Sequence, residues 1–258
     1  MSSRAPSQWY VISLRPRGEH AALRRAAARH GARLVALSPW RLQSRDDDDA
    51  RAALRRALDA PRVLFTSPAA VRAAHALQPL RPRRGQRWFA VGAGSAAALR
   101  RAGIPDVAAP TRMDSEGLLA LPGLQAIAGT AIGLVTAPGG RGMLAPVLQA
   151  RGAQVLRADV YARVPVAPAP RALAALREAA APAVLALSSG EALRRTLAAV
   201  PDDIATILRN ARVVAASDRL ADLARGLGFS DIVVARGPRP RDLIDAAVRH
   251  ASGSMAAS

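Results

Sequence analysis

Tyr161 is one of two tyrosines in 258 residues, and it stands in Val160-Tyr161-Ala162-Arg163-Val164-Pro165, where a strand-like run gives way to a proline-studded exit. A phenol at such a junction can donate a proton or a hydrogen bond to a departing group, and it can equally pack a linker as an aromatic wedge. The remaining residues able to do chemistry fall into hydroxyl- and glycine-rich clusters, each directly after a short apolar run. These are Thr66-Ser67-Pro68, Gly92-Ala93-Gly94-Ser95, Ser188-Ser189-Gly190 and Ala216-Ser217-Asp218. Backbone N–H groups at helix starts attract anions, so several such turns suit a ligand with many negative groups. Arg15 in Leu14-Arg15-Pro16 and Arg141 in Gly139-Gly140-Arg141 add guanidinium groups beside equivalent turns.

Other chemistries lack their residues. Gly92-Ala93-Gly94 begins like a dinucleotide loop, yet Ala97 stands where the third glycine of G-x-G-x-x-G belongs. Lysine is absent, so there is no P-loop, and cysteine is absent, so there is neither a disulfide nor a thiolate metal site. His20, His30, His75 and His250 show no ligand spacing and read as ordinary surface or half-buried side chains. No G-x-S-x-G elbow surrounds Ser188-Ser189, which favours capping over nucleophilic attack. Asp46 to Asp49 precede a helix-like run, where acid faces the positive end of the macrodipole; consecutive carboxylates cannot all converge on one ion. Neither a metal nor a cofactor is expected.

The formal charge of +18 comes entirely from arginine. It is compatible with solvated helix faces or with an anionic partner, and Arg suits carboxylates through its bidentate fork. Aromatics at 3% leave few stacking platforms for nucleic acid. The uncharged run from Gly117 to Gly140 is broken by Pro122-Gly123 and Gly129, so a helix end, a loop and a buried strand explain it better than a membrane span. MSSRAPSQWY shows no apolar leader, and a cytoplasmic protein without nucleic-acid or membrane partners is expected.

The elements that must position these residues occur twice. Trp9 to Leu14 reads as a strand, Glu19 to about His30 as a helix stopped by Gly31, and Arg33 to Leu37 as a second strand. The stretch Thr136 to Val166 repeats that grammar, with Pro16 matching Pro138 and Gly31 matching Gly152. Val63 to Phe65 with its Thr66-Ser67 turn and helix to Leu77 is matched by Val184 to Leu187, Ser188-Ser189-Gly190 and a helix to Ala199; Ser67 and Ser189 lie 122 residues apart. Trp88 to Val91 and the helix stopped by Gly103 match Val213 to Ala215 and the helix stopped by Gly228. Alternating strands and helices imply an α/β protein with parallel sheets, whose ligands bind beyond the carboxyl ends of the strands. Two related halves would then present strand-end turns to one ligand.

Taken together, Leu14-Arg15-Pro16, Phe65-Thr66-Ser67-Pro68 with Val71, Ala90-Val91-Gly92, Gly139-Gly140-Arg141 with Leu144, Gly152-Ala153-Gln154-Val155, Val160-Tyr161 with Val164-Pro165, and Ser188-Ser189-Gly190 with Ala192-Leu193 resemble the uroporphyrinogen-III synthase family over about residues 9 to 250. The resemblance implies two doubly wound parallel-sheet lobes joined by a two-stranded linker, the first lobe discontinuous in sequence. Mapped here, lobe one is 1–38 with 165–251, lobe two 42–162, the linker strands 39–41 and 163–164, and 252–258 a flexible tail. It implies a monomeric, cofactor-free lyase of haem biosynthesis that dehydrates and cyclises hydroxymethylbilane, a linear tetrapyrrole polycarboxylate, with inversion of the last ring. Tyr161 inherits the acid role, while Thr66, Ser67, Gly92, Ser188, Ser189, Gly190 and Ser217 would bind carboxylates beside Arg15 and Arg141. Ala216-Ser217-Asp218 occupies the turn where relatives often have Gly or Thr, and repulsion of a carboxylate by Asp218 weakens the case for Ser217. The alternative is a two-lobed ligand-binding or regulatory module without catalysis.

Overall fold

The computed structural model describes residues 9–112, 115–139, 142–179 and 182–254. The chain enters on β1 (Tyr10–Ser13), with Val11 and Ile12 wholly buried, and continues through α1 (Ala21–Ala28) and β2 (Arg33–Ala36). The helix starts later than Glu19 because Glu19 closes a turn onto the Pro16 carbonyl and His20 is the N-cap. β3 (Trp40–Ser44) then leads to α2 (Asp48–Asp59). The acidic run is a helix start: Asp47 accepts the Ala50 N–H at 2.8 Å, and Asp48 and Asp49 occupy the first turn.

The strand-helix step recurs through β4 (Arg62–Phe65), α3 (Pro68–Leu77), β5 (Arg87–Ala90), α4 (Ala93–Arg101) and β6 (Val107–Ala108). α5 (Ser115–Leu119) and a 3-10 turn at Pro122–Leu124 precede β7 (Ala131–Thr136), so the uncharged run is a helix end, a loop and a buried strand. There follow α6 (Leu144–Ala150), β8 (Gln154–Asp159), β9 (Tyr161–Pro165), α7 (Pro170–Arg177), β10 (Ala183–Leu187) and α8 (Gly190–Ala199). α9 (Asp202–Asn210), β11 (Arg212–Ala215), α10 (Asp218–Gly226), β12 (Ile232–Val234) and α11 (Pro240–Ser254) complete the described chain.

The strands form two five-stranded parallel sheets, ordered β12-β11-β10-β1-β2 and β6-β5-β4-β7-β8, and a two-stranded sheet of β3 with β9. The two orders are identical once β7 and β8 are set against β1 and β2. The chain divides into Met1–Arg41 with Pro165–Ser258, hereafter unit 1, and Leu42–Val164, hereafter unit 2. Each unit therefore takes its opening strand, helix and strand from one copy of the repeat and its remaining strands from the other.

Period-two alternation decides which residues build each core. In unit 2, Val63, Phe65, Trp88 and Ala90 face one side of the sheet, where they pack with Leu54, Val71 and Leu99 of α2, α3 and α4. Leu64 and Phe89 face the other side, with Leu118 of α5 and Leu148 of α6. The Phe65 and Trp88 rings stack at 5.8 Å, and full burial of such a side chain stabilises by about 1.5–3 kcal/mol. In unit 1, Val11, Val184, Ala186 and Val214 pack under α1 and α11. Gly133 on β7 lets α2 press onto the strand, since a Cβ there would lie 1.9 Å from the Ala57 carbonyl oxygen. Gly31 and Gly152 stop matching helices alike: each has positive φ, and the following residue, Ala32 or Ala153, donates its N–H back to Ala27 or Leu148.

Candidate functional site

In unit 2 the chemistry collects at the carboxyl ends of β4, β5 and β7. Ser67 leaves β4 in an extended conformation, and its Oγ accepts the Ala70 N–H at 3.0 Å, with Pro68 in the first turn of the helix. Tyr161, the first residue of β9, is 5% exposed, and its hydroxyl lies 3.2 Å from the same Ser67 Oγ. Beside them Thr66 Oγ1 donates to Thr136 Oγ1 at 2.8 Å, joining the ends of β4 and β7. Gly92 is the N-cap of α4, at the end of β5, which pairs with β4. Thr66, Ser67 and Tyr161 are thus brought together, with Gly92 one strand away. Thr136 is a member the sequence reasoning did not assign, although its hydroxyl at a strand end was a visible signal. Arg141 lies outside the described residues.

In unit 1 the matching edge is formed by β1, β10 and β11. Ser189 accepts the Ala192 N–H at 3.3 Å, Ser188 before it is exposed, and Gly190 is the buried first residue of α8. A Cβ on Gly190 would lie 3.1 Å from the Leu223 side chain, so the close packing of α8 on α10 favours glycine. Ser217 is the N-cap of α10 but makes no capping bond with its side chain, and exposed Asp218 follows it. Arg15 follows β1 by two residues; burial pulls its guanidinium pKa below the ordinary value, partly opposed by the Glu19 carboxylate.

One histidine is more than an ordinary surface residue. His20 is 6% exposed, with Nδ1 2.9 Å from Ser13 Oγ and Nε2 2.8 Å from Ser38 Oγ. Burial first, then the charges of Arg24 and Arg15, pulls its pKa down to about 4, so the imidazole is neutral at pH 7. The signal was a serine at the end of one apolar strand and another just past its neighbour; joining them needed the β1–β2 pairing.

Comparison with known proteins agrees with this architecture. The family described as uroporphyrinogen-III synthase HemD matches residues 21–245. The chain belongs to the uroporphyrinogen-III synthase family. Uroporphyrinogen-III synthase of Salmonella typhimurium is 37% identical over 151 residues, 58% of this chain and 61% of that protein. Its counterpart from Escherichia coli K12 is 35% identical over 150 residues, 57% of this chain and again 61% of the relative. The match thus spans about three fifths of the length of these relatives. The crystal structure of a mutant uroporphyrinogen III synthase from the extremely thermophilic bacterium Thermus thermophilus shares the fold with a TM-score of 0.62 at 20% identity, covering 95% of this chain and 99% of that one. Uroporphyrinogen-III synthetase from Helicobacter pylori 26695 does so with a TM-score of 0.60 at 12% identity, covering 93% and 99%.

Within this uroporphyrinogen-III synthase family member, the two edges differ chemically. The unit 2 edge carries hydroxyls and a phenol, whereas the unit 1 edge adds a neutral imidazole between two serines. Among the described residues, no helix is long and apolar enough to cross a membrane.

Proposed function

We propose that the chain closes hydroxymethylbilane to uroporphyrinogen III, with loss of water and inversion of the last pyrrole ring. The observation that carries the reading is the 3.2 Å pair of Tyr161 and Ser67 at the strand-end turn of unit 2. Ser67 Oγ already accepts the Ala70 N–H, so its own proton can be given to the phenol oxygen. The Tyr161 proton is then available to the hydroxyl that leaves the terminal carbon as water. The electrophile so formed is attacked by the substituted α-carbon of the last pyrrole. In the resulting spiro centre the older bond from that carbon to its bridging methylene breaks, the methylene bonds to the free α-carbon and closes the ring, and the proton lost there restores the phenol. Holding a flexible chain in that geometry is the larger contribution, because closure without inversion competes.

Carboxylates of the substrate are assigned to Thr66, Ser67 and Gly92 in unit 2 and to Ser188, Ser189, Gly190 and Ser217 in unit 1, chiefly through backbone N–H groups, with Arg15 and Arg141 as charge partners. Helix starts at Ser67 and Ser189 support this. The reading includes a monomer of the cytoplasm, in keeping with a chain free of cysteine. The test supplies enzymatically generated hydroxymethylbilane and separates the oxidised products. Type III isomer above the blank supports the proposal; type I alone, at the blank rate, ends it.

A further inference from the structure

A cavity of about 750 Å³ lies wholly within unit 1, between the turns after β1 and β2 and the start of α7. Its size suits a small organic ligand. Arg17, Arg24 and Arg171 line it, and no carboxylate does. None of the three guanidinium groups has a hydrogen-bond or ion-pair partner among the described residues. Three unpaired like charges around one hollow repel one another, and an anion there would relieve the repulsion. His20 with Ala21, and Ala169 with Pro170, bring the N-terminal ends of α1 and α7 to the same cavity, which adds positive potential.

The buried imidazole decides where a donor points. Ser13 is 0% exposed, and His20 is the only hydrogen-bond partner of its hydroxyl among the described residues. A buried O–H without an acceptor costs desolvation energy, so Ser13 donates to Nδ1. Nε2 then carries the ring proton and donates it to Ser38 Oγ. Ser38, on the cavity wall, keeps its own proton for whatever enters.

We infer that this cavity binds the acetate and propionate arms of one pyrrole ring, with Arg24 and Arg171 taking the carboxylates and Ser38, oriented by His20, donating the bond that sets their direction. The inference rests on the synthase reading and adds a subsite to it. Arg supplies the bidentate fork that carboxylates match. His20 is a positioning residue: both its ring nitrogens are engaged by serines, and it acts on the ligand through Ser38.

The test uses the full chain at low salt, with porphobilinogen, a single pyrrole bearing one acetate and one propionate, as the probe and inorganic phosphate as the rival anion. Binding is followed by NMR of 15N-histidine-labelled protein. Arg24→Gln and Arg171→Gln should each weaken the pyrrole about tenfold, as loss of a charge-assisted hydrogen bond does, while Arg29→Gln, an exposed charge outside the cavity, should not. The free His20 ring should show the Nε2–H tautomer, and its Nε2 signal should move on saturation. Ser38→Ala should weaken the pyrrole; since it also takes the acceptor from the His20 Nε2–H, its affinity is measured at a temperature where circular dichroism shows the variant folded. Unchanged affinity in both arginine variants overturns the inference, as does an equal loss in Arg29→Gln or tighter binding of phosphate than of the pyrrole. An Nδ1–H tautomer overturns the role of His20. If the protein makes no type III isomer yet binds the pyrrole here, the synthase reading fails and the subsite stands; if it makes the isomer with an unchanged KM in both variants, only the subsite falls.

Discussion

The Tyr161 hydroxyl lies 3.2 Å from Ser67 Oγ, across 94 residues of sequence, and Ser67 is fixed in place by capping α3. A loop hydroxyl would sample many rotamers; this one is held by the Ala70 N–H and presents its second bonding direction to the phenol.

Tyr161→Phe keeps the ring that fills its buried site and removes only the oxygen. General acids contribute roughly 10²–10⁴-fold, and in the proposed reaction Tyr161 would assist a closure governed mainly by geometry, so kcat should fall by about tenfold or more with KM little changed. Full retention of kcat in a steady-state assay would make Tyr161 a packing residue.

Ser67 has two duties that substitutions can separate. Ser67→Ala loses the cap and should cost about 1 kcal/mol of stability, whereas glycine at an N-cap costs only a few tenths. Ser67→Gly should therefore lower kcat while leaving the urea midpoint nearly unchanged. Equal kcat in wild type and Ser67→Gly would remove Ser67 from the site.

His20 sets a pH window for stability. Its folded pKa is about 4 and its ordinary value 6.5, so between these the unfolded chain takes up a proton that the folded chain refuses. Stability should be lost as pH falls from about 6.5 to about 4. The carboxylates act lower: the Ala50 N–H holds Asp47 below its ordinary range, and Arg177 does the same for Asp203. Urea midpoints at pH 7 and 4.5 should differ less in His20→Gln than in wild type; an identical difference contradicts the assignment.

Gly133→Ala places a methyl 1.9 Å from a backbone oxygen of α2, which cannot rotate away. Overpacking of this kind costs about 1–3 kcal/mol, or several degrees in Tm. Calorimetry showing no loss would mean that α2 does not press on β7 as described.

The repeat was legible because its punctuation is chemical. Ser67 and Ser189 cap, Gly31 and Gly152 take positive φ, and only a few residue types do either, so the copies match at these marks although the helices between them differ in sequence. The α/β class and the parallel sheets followed from that punctuation and are what the structure has. What stayed hidden depends on adjacency across a sheet. Ser13, His20 and Ser38 look unrelated until β1 and β2 pair, and Thr136 becomes part of a site only when β7 lies beside β4. The helix α9 had no counterpart to announce it, since the other copy runs from α3 to β5 without one.

The decisive measurement is the isomer ratio formed from hydroxymethylbilane by the purified protein. The account predicts type III isomer well above the blank, reduced in Tyr161→Phe and in Ser67→Gly. Type I isomer alone, at the rate seen without protein, would contradict it.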